Sequence, residues 1–134
     1  MEVIEIRTGR REELIAITHA LRDLVREKGW RSGALLVYSP HTTAGFTINE
    51  NADPDVAGDI RWFMGKLVPN SPEFEHAEGN SDAHVKTTLC GPHVFLIVEN
   101  GELQLGTCKG VYFCEWDGPR PRKVGGQLML PKKK

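Results

Sequence analysis

The sequence predicts an α+β protein: one compact domain with a mixed or antiparallel β-sheet, two main helices and a short third. Three observations carry this. Short apolar or alternating runs of strand length recur along the chain, two longer segments repeat apolar residues at helical spacing, and Gly, Pro, Asn and Asp punctuate the joints between them. At 134 residues the chain fits a single domain over 1–134, able to bury roughly two-thirds of its unfolded surface.

Glu2-Val-Ile-Glu-Ile-Arg7 alternates polar and apolar, as a half-buried strand does, and Thr8-Gly9 breaks it. From Arg11 to about Lys28, Leu14, Ile17, Leu21, Leu24 and Val25 recur at helical spacing, with Gly29 as C-cap. His19 lies off that stripe, as an exposed helix residue does. Ala34–Tyr38 is a continuous apolar run suited to a buried strand, and Ser39-Pro40 ends it just before His41. Gly45–Ile48 is the next strand, which leaves Thr42 and Thr43 at the turn.

Asp53-Pro54 announces a helix, because the Asp carboxylate accepts an unpaired N–H and Pro loses nothing at the first helical position. Its expected buried face is Val56, Ile60, Phe63 or Met64, and Leu67. Val68 to about Ala83 reads mostly as loop, a length that is uncommon without a function. His84–Leu89 reads as one or two helical turns capped by Asp82. Strands follow at Val94–Glu99, Leu103–Leu105 and Val111–Trp116, the first two joined by the hairpin signal Asn100-Gly101. A last strand, about Lys123–Leu130, precedes a basic tail at 131–134.

Several function classes drop out. A net charge of -1 gives no electrostatic basis for nucleic acid or an anionic membrane as main partner, and Lys132-Lys133-Lys134 reads as a solvated tail. No apolar run approaches the roughly 20 residues of a membrane span. Three cysteines without C-x-x-C spacing argue for a reducing cytoplasm and against a disulfide framework or thiolate finger, and Met1–Thr8 does not read as a signal peptide. Phosphate-loop, dinucleotide and serine-hydrolase motifs are all missing. Cys90 reads as a small core residue, and Cys108 and Cys114 as strand residues that pack with Tyr112 and Trp116.

What remains is His41-Thr42-Thr43 and the stretch His76 to His84, polar segments at the ends of elements, where scaffolds present chemistry. Neutral imidazole is the commonest transition-metal ligand, and three together would form a zinc-type site with one position open. Spacing alone leaves two readings standing, a divalent metal site or loop histidines that only hydrogen-bond. Glu78 and Asp82 could orient imidazoles or complete the ligand set, and Glu50 could handle protons. Thr42, Thr43, Lys86, Thr87, Thr88 and Thr107 are donors suited to an anion such as phosphate. Glu115, on an apolar strand face, requires either a buried ion pair or a pocket role.

Taken together, the stretches His41–Val56, His76–Lys86, Leu89-Cys90-Gly91, Gly101–Thr107 and Gly110–Glu115 closely resemble the YjbQ family, also called uncharacterised protein family 0047. The resemblance runs in order along nearly the whole chain. It implies an α+β subunit assembled as a homotrimer, with a metal, usually taken as zinc, near the matching histidines. It also implies the family's common label, a secondary thiamine-phosphate synthase. Carried over by position, His41, His76 and His84 are the metal ligands, with Glu50, Asn51, Asp82 and Lys86 the polar residues around them. The sequence departs at Gly106-Thr107-Cys108-Lys109-Gly110, where the family usually has Gly-Thr-Trp-Gln-Gly, which reshapes any pocket wall or subunit contact at that turn. The expectation is a metal-assisted enzyme acting on a small phosphorylated molecule: Glu50 or Glu78 carries the proton, Lys86 with Thr42, Thr43, Asn51 and Thr107 holds the substrate. The alternative is a non-catalytic homotrimer with a structural metal that binds a metabolite or protein partner.

Overall fold

The computed structural model describes residues 1–132, so Lys133 and Lys134 of the tail lie outside the described residues. The elements run β1 (Glu2–Arg7), β2 (Glu13–Ala16), α1 (Thr18–Lys28), β3 (Gly33–Tyr38), β4 (Ala44–Glu50), α2 (Pro54–Leu67), α3 (Ser81–Cys90), β5 (His93–Glu99), β6 (Glu102–Gln104), β7 (Lys109–Glu115) and β8 (Pro121–Met129). They form an α+β domain with two antiparallel sheets, one of five strands in the order β1-β8-β3-β5-β6 and one of three in the order β2-β7-β4.

The core lies between these sheets and α1. Leu35, Val37, Leu96, Val98 and Val124 from the larger sheet meet Phe46, Val111 and Phe113 from the smaller, and Leu21 and Val25 of α1 close the cluster. Phe46 and Phe113 pack edge to face with centroids 5.6 Å apart, the arrangement the ring quadrupoles favour. In β3, however, Leu35 and Val37 are buried while Leu36 is only partly so, so the continuous apolar run is not matched by burial on both faces.

Other expectations change. The segment Arg11–Lys28 is not one helix: Glu13–Ala16 is a strand on β7, with Leu14 opposite Cys114 and Ile15 opposite Phe113. The apolar residues of that segment satisfy a sheet edge as well as a helix face, and the free edge of β7 decides between them. Helix α2 starts as expected, Asp53 accepting from the Asp55 N–H at 2.9 Å ahead of Pro54. Its burial does not follow: no residue of α2 is fully buried, and Phe63 and Leu67 are more than half exposed. Only Val56, Ala57, Ile60 and Met64 are sheltered among its apolar side chains.

Helix α3 is longer than expected, and its N-cap position is Asn80. Asp82 sits inside the first turn, fully buried, bound by both terminal nitrogens of Arg11 at 3.0 Å and by Lys86 Nζ at 3.1 Å. Cys108 is exposed at a turn with φ +61°, a correction to its reading as a packed strand residue.

Candidate functional site

Three loops meet beyond the ends of β3, β7 and α3. The first follows β3. Ser39 Oγ donates to the Ala44 carbonyl at 3.0 Å and accepts the His41 N–H at 3.2 Å, which fixes the turn that carries His41, Thr42 and Thr43. The second is the turn His76–Gly79, closed by the Gly79 N–H on the His76 carbonyl at 3.1 Å with Gly79 at φ +72°, and it leads into α3. The third, Asp117 to Arg122, enters β8. Asp117 ties the second and third together, accepting from Asn80 Nδ2 at 2.8 Å and from Arg120 Nη2 at 3.0 Å.

Between them lies an open cleft of about 430 Å³ lined by Pro40, His41, Thr42, Thr43, His76, Glu78, Asn80, His84, Arg120 and Arg122. The structure thus brings His41, His76 and His84 to one cavity, with Glu78, Thr42 and Thr43 on its wall. Glu78 Oε2 stands 3.9 Å from His76 Nε2.

The remaining expected residues lie elsewhere. Glu50 ends β4, a strand whose length separates it from Ala44 by about 20 Å. Its carbonyl and the Asn51 side chain both accept from the Tyr112 hydroxyl at 3.0 Å. Asn51 packs so closely on Gly110 that a Cβ there would stand 2.5 Å from its amide nitrogen. Thr107 is exposed in the turn before β7. Lys86 is 1% exposed and bonds Asp82 and Glu12 with its ammonium 5.9 Å from the Trp116 ring centre. A lysine held this way is a structural counter-ion for Asp82, not a phosphate clamp.

Two arginines, Arg120 and Arg122, line the cleft. Arg122, 4% exposed, is gripped by Glu115: Nε donates to Oε1 at 2.8 Å and Nη2 to Oε2. Thr8 Oγ1 and the Asp117 N–H supply two more bonds to the same carboxylate, at 2.8 and 3.1 Å. Arg122 Nη2 also donates to Thr43 Oγ1 at 2.8 Å, so the buried pair sets the position of a cleft threonine. Glu115 therefore takes the ion-pair role, and through Arg122 it also shapes the cavity. Arg120, Arg122 and Asn80 were missed at the level of sequence. The short Arg120-Pro121-Arg122 run was the one available signal, and charge in a turn by itself points nowhere.

The donor set fits zinc in kind. His76 and His84 stand edge to face with ring centroids 5.4 Å apart. That separation is the ordinary one for an edge-to-face ring pair, and it also falls near the roughly 5.2 Å that two imidazoles on one tetrahedral zinc would have. His41 is differently engaged. Its Nε2 accepts the Lys123 N–H at 2.9 Å. Burial, and then the charge of Arg122, lower its pKa below the usual histidine value, which keeps the ring neutral at pH 7. Among the described residues no three His, Cys, Asp or Glu side chains stand together as a ready ligand group.

A family model described as UPF0047 protein YjbQ-like matches residues 2–130. The chain belongs to the YjbQ/UPF0047 family. UPF0047 protein YugU of Bacillus subtilis is 49% identical over 130 residues, spanning 96% of this chain and 98% of its own. A UPF0047 protein of Methanocaldococcus jannaschii is 47% identical over 119 residues, spanning 89% of this chain and 86% of its own. Among solved structures, an uncharacterised YjbQ/UPF0047 protein of Clostridium acetobutylicum superposes with TM-score 0.93 at 45% identity, covering 96% of this chain and all of that one (100%). A conserved hypothetical protein of Thermus thermophilus gives TM-score 0.89 at 37% identity, covering 96% and 100%. No helix among the described residues is long and apolar enough to cross a membrane.

Proposed function

We propose that this cleft is the active site of a metal-assisted enzyme acting on a small phosphorylated molecule. The observation that carries the reading is the convergence of His41, His76 and His84 on one cavity whose wall also holds Arg120, Arg122, Thr42 and Thr43. Arg120 and Arg122 supply positive charge and the threonines supply hydroxyls that bind and orient the phosphoryl group, charge-assisted bonds to phosphate being among the strongest. Glu78, beside His76, carries the proton that a transferred or attacking oxygen must lose. A zinc ion held by the histidines would act as Lewis acid or lower the pKa of a bound water toward about 7.

Untagged protein titrated with zinc should take up one ion per chain and then turn over 4-nitrophenyl phosphate in proportion to the zinc bound. His84→Ala should lower zinc affinity by on the order of 100-fold and the zinc-dependent rate with it. Well under one zinc per chain, with equal behaviour of wild type and His84→Ala, would remove this reading. One zinc bound with no turnover would favour the non-catalytic alternative. The thiamine-phosphate synthase activity implied by the resemblance is a narrower form of the same proposal, checked by whether the protein restores thiamine-free growth to a strain lacking that synthase.

The same reading includes self-association as a homotrimer within the cytoplasm. It is supported by an apolar surface on β5 and at the end of β8: Phe95, Ile97, Met129 and the following Leu130 are each more than half exposed. Light scattering should give three times the chain mass, and Ile97→Lys should give one. A wild-type protein of single-chain mass at micromolar concentration would refute the trimer.

A further inference from the structure

A second cluster of reactive groups lies outside the cleft, where the last turn of α3 presses on the smaller sheet. Cys90 ends α3, half-buried, while Cys114, next to the last residue of β7, is 1% exposed. Cys90 packs on the small cluster of Ala83, Tyr112, Cys114 and Trp116. Gly45 of β4, which pairs with Cys114 across the strands, makes the approach possible. A Cβ at Gly45 would stand 2.9 Å from Cys90 Sγ and collide with the Gly91 carbonyl. The Cys90 sulfur therefore sits directly over the Gly45–Cys114 pair. The indole Nε1 of Trp116, in the same cluster, is buried and has no hydrogen-bond partner among the described residues.

We propose that Cys90 and Cys114 form an oxidative modification site, at which a hydroperoxide converts the two thiols into an intramolecular disulfide. The Cys90 thiolate attacks the O–O bond, forming an S–O bond and releasing hydroxide or alkoxide, which leaves Cys90 as the sulfenic acid. The Cys114 sulfur then attacks that sulfur, the S–O bond breaks, and water leaves with the Cys114 proton. The peroxide is reduced by two electrons and the two thiols are oxidised by two.

The division of labour follows from the surroundings. Cys90 has the exposure to meet a small oxidant, and its thiol is lowered to about 7, first by the neighbouring Cys114 thiol and then by the Trp116 indole, whose N–H favours a thiolate beside it, against the opposing effect of burial. Cys114 is raised by the same partnership and by burial, so it stays a thiol until the sulfenic acid forms beside it. The reading of Cys90 as a small core residue agrees with its packing, half-buried, on the cluster of Cys114 and Trp116. The proposal is independent of the chemistry in the histidine cleft.

The test uses the full chain carrying Cys108→Ser, which removes the exposed third thiol. One equivalent of hydrogen peroxide should lower the intact mass by two hydrogens, and a non-reducing peptide map should join Cys90 to Cys114, reversibly with dithiothreitol. Adding Cys114→Ala should strand the sulfenic acid on Cys90 and make it react with dimedone, whereas Cys90→Ala should abolish both the bridge and the dimedone adduct. Oxygen addition without loss of two hydrogens, or no Cys90–Cys114 peptide, overturns the proposal. The map of the Cys108→Ser protein decides even if a further variant fails to fold.

Discussion

Glu115→Ala is expected to destabilise the protein by about 3–5 kcal/mol, which at this size lowers the melting temperature by roughly 10–20 °C. The reason is the charge left behind. Glu115 has no exposure, Arg122 only 4%, and the carboxylate accepts from Arg122, Thr8 and the Asp117 N–H. Removing it leaves a guanidinium out of water with Thr43 as its remaining partner. Glu115→Gln keeps the shape and should lie between alanine and wild type. The double variant Glu115→Ala with Arg122→Met removes both charges and should recover a large part of the loss, which a thermal or urea double-mutant cycle would measure. A loss below about 1 kcal/mol for Glu115→Ala would mean that the pair does not hold this end of the molecule.

Asp82→Asn should have a comparable effect at the first turn of α3. Asp82 is fully buried between Arg11 and Lys86, and Lys86 is itself 1% exposed with Glu12 as its only other carboxylate among the described residues. Losing the negative charge leaves the buried Lys86 with Glu12 alone to balance it, a cost of about 3 kcal/mol. A pH signature accompanies it. Burial pushes the Asp82 carboxyl up, but the bonds from Arg11 and Lys86 outweigh burial and hold it below the ordinary carboxylate value. Its contribution is therefore complete above pH of about 4 and is lost as pH falls through the lowered native value. Urea midpoints measured from pH 6 to pH 2 should fall steeply below pH 4 in wild type and less steeply in Asp82→Asn. Parallel curves would show that Asp82 is not the group that titrates.

These two networks explain what sequence reading could reach. Cap and turn chemistry was legible because it is local: Asp53-Pro54 starts α2, Gly29 closes α1 in the left-handed region, and Asn100-Gly101 makes the β5–β6 hairpin, both residues at positive φ. The strand identity of Glu13–Ala16 was not legible, because Leu14 and Ile15 suit either a helix stripe or the edge of β7. The three histidines and Glu78 stood out by residue type and loop context, and the fold brings them to one cavity. Arg120, Arg122 and Asn80 were not, since only the folded chain brings the turn after β7 against the start of α3.

By itself, then, the sequence determined the class of fold, the positions of most turns, and the family, whose resemblance runs along nearly the whole chain. Those properties follow from neighbours within a few residues of each other and from long matching motifs. Tertiary structure alone decided which charged groups are structural and which face the cleft. Lys86 and Arg122 are both cations near loops in the sequence. One is enclosed by Asp82 and Glu12, and the other is held by Glu115 against Thr43 on the cavity wall. The physical reason is that a charge's role depends on what shares its low-dielectric surroundings, and here those partners come from up to 79 positions away along the chain.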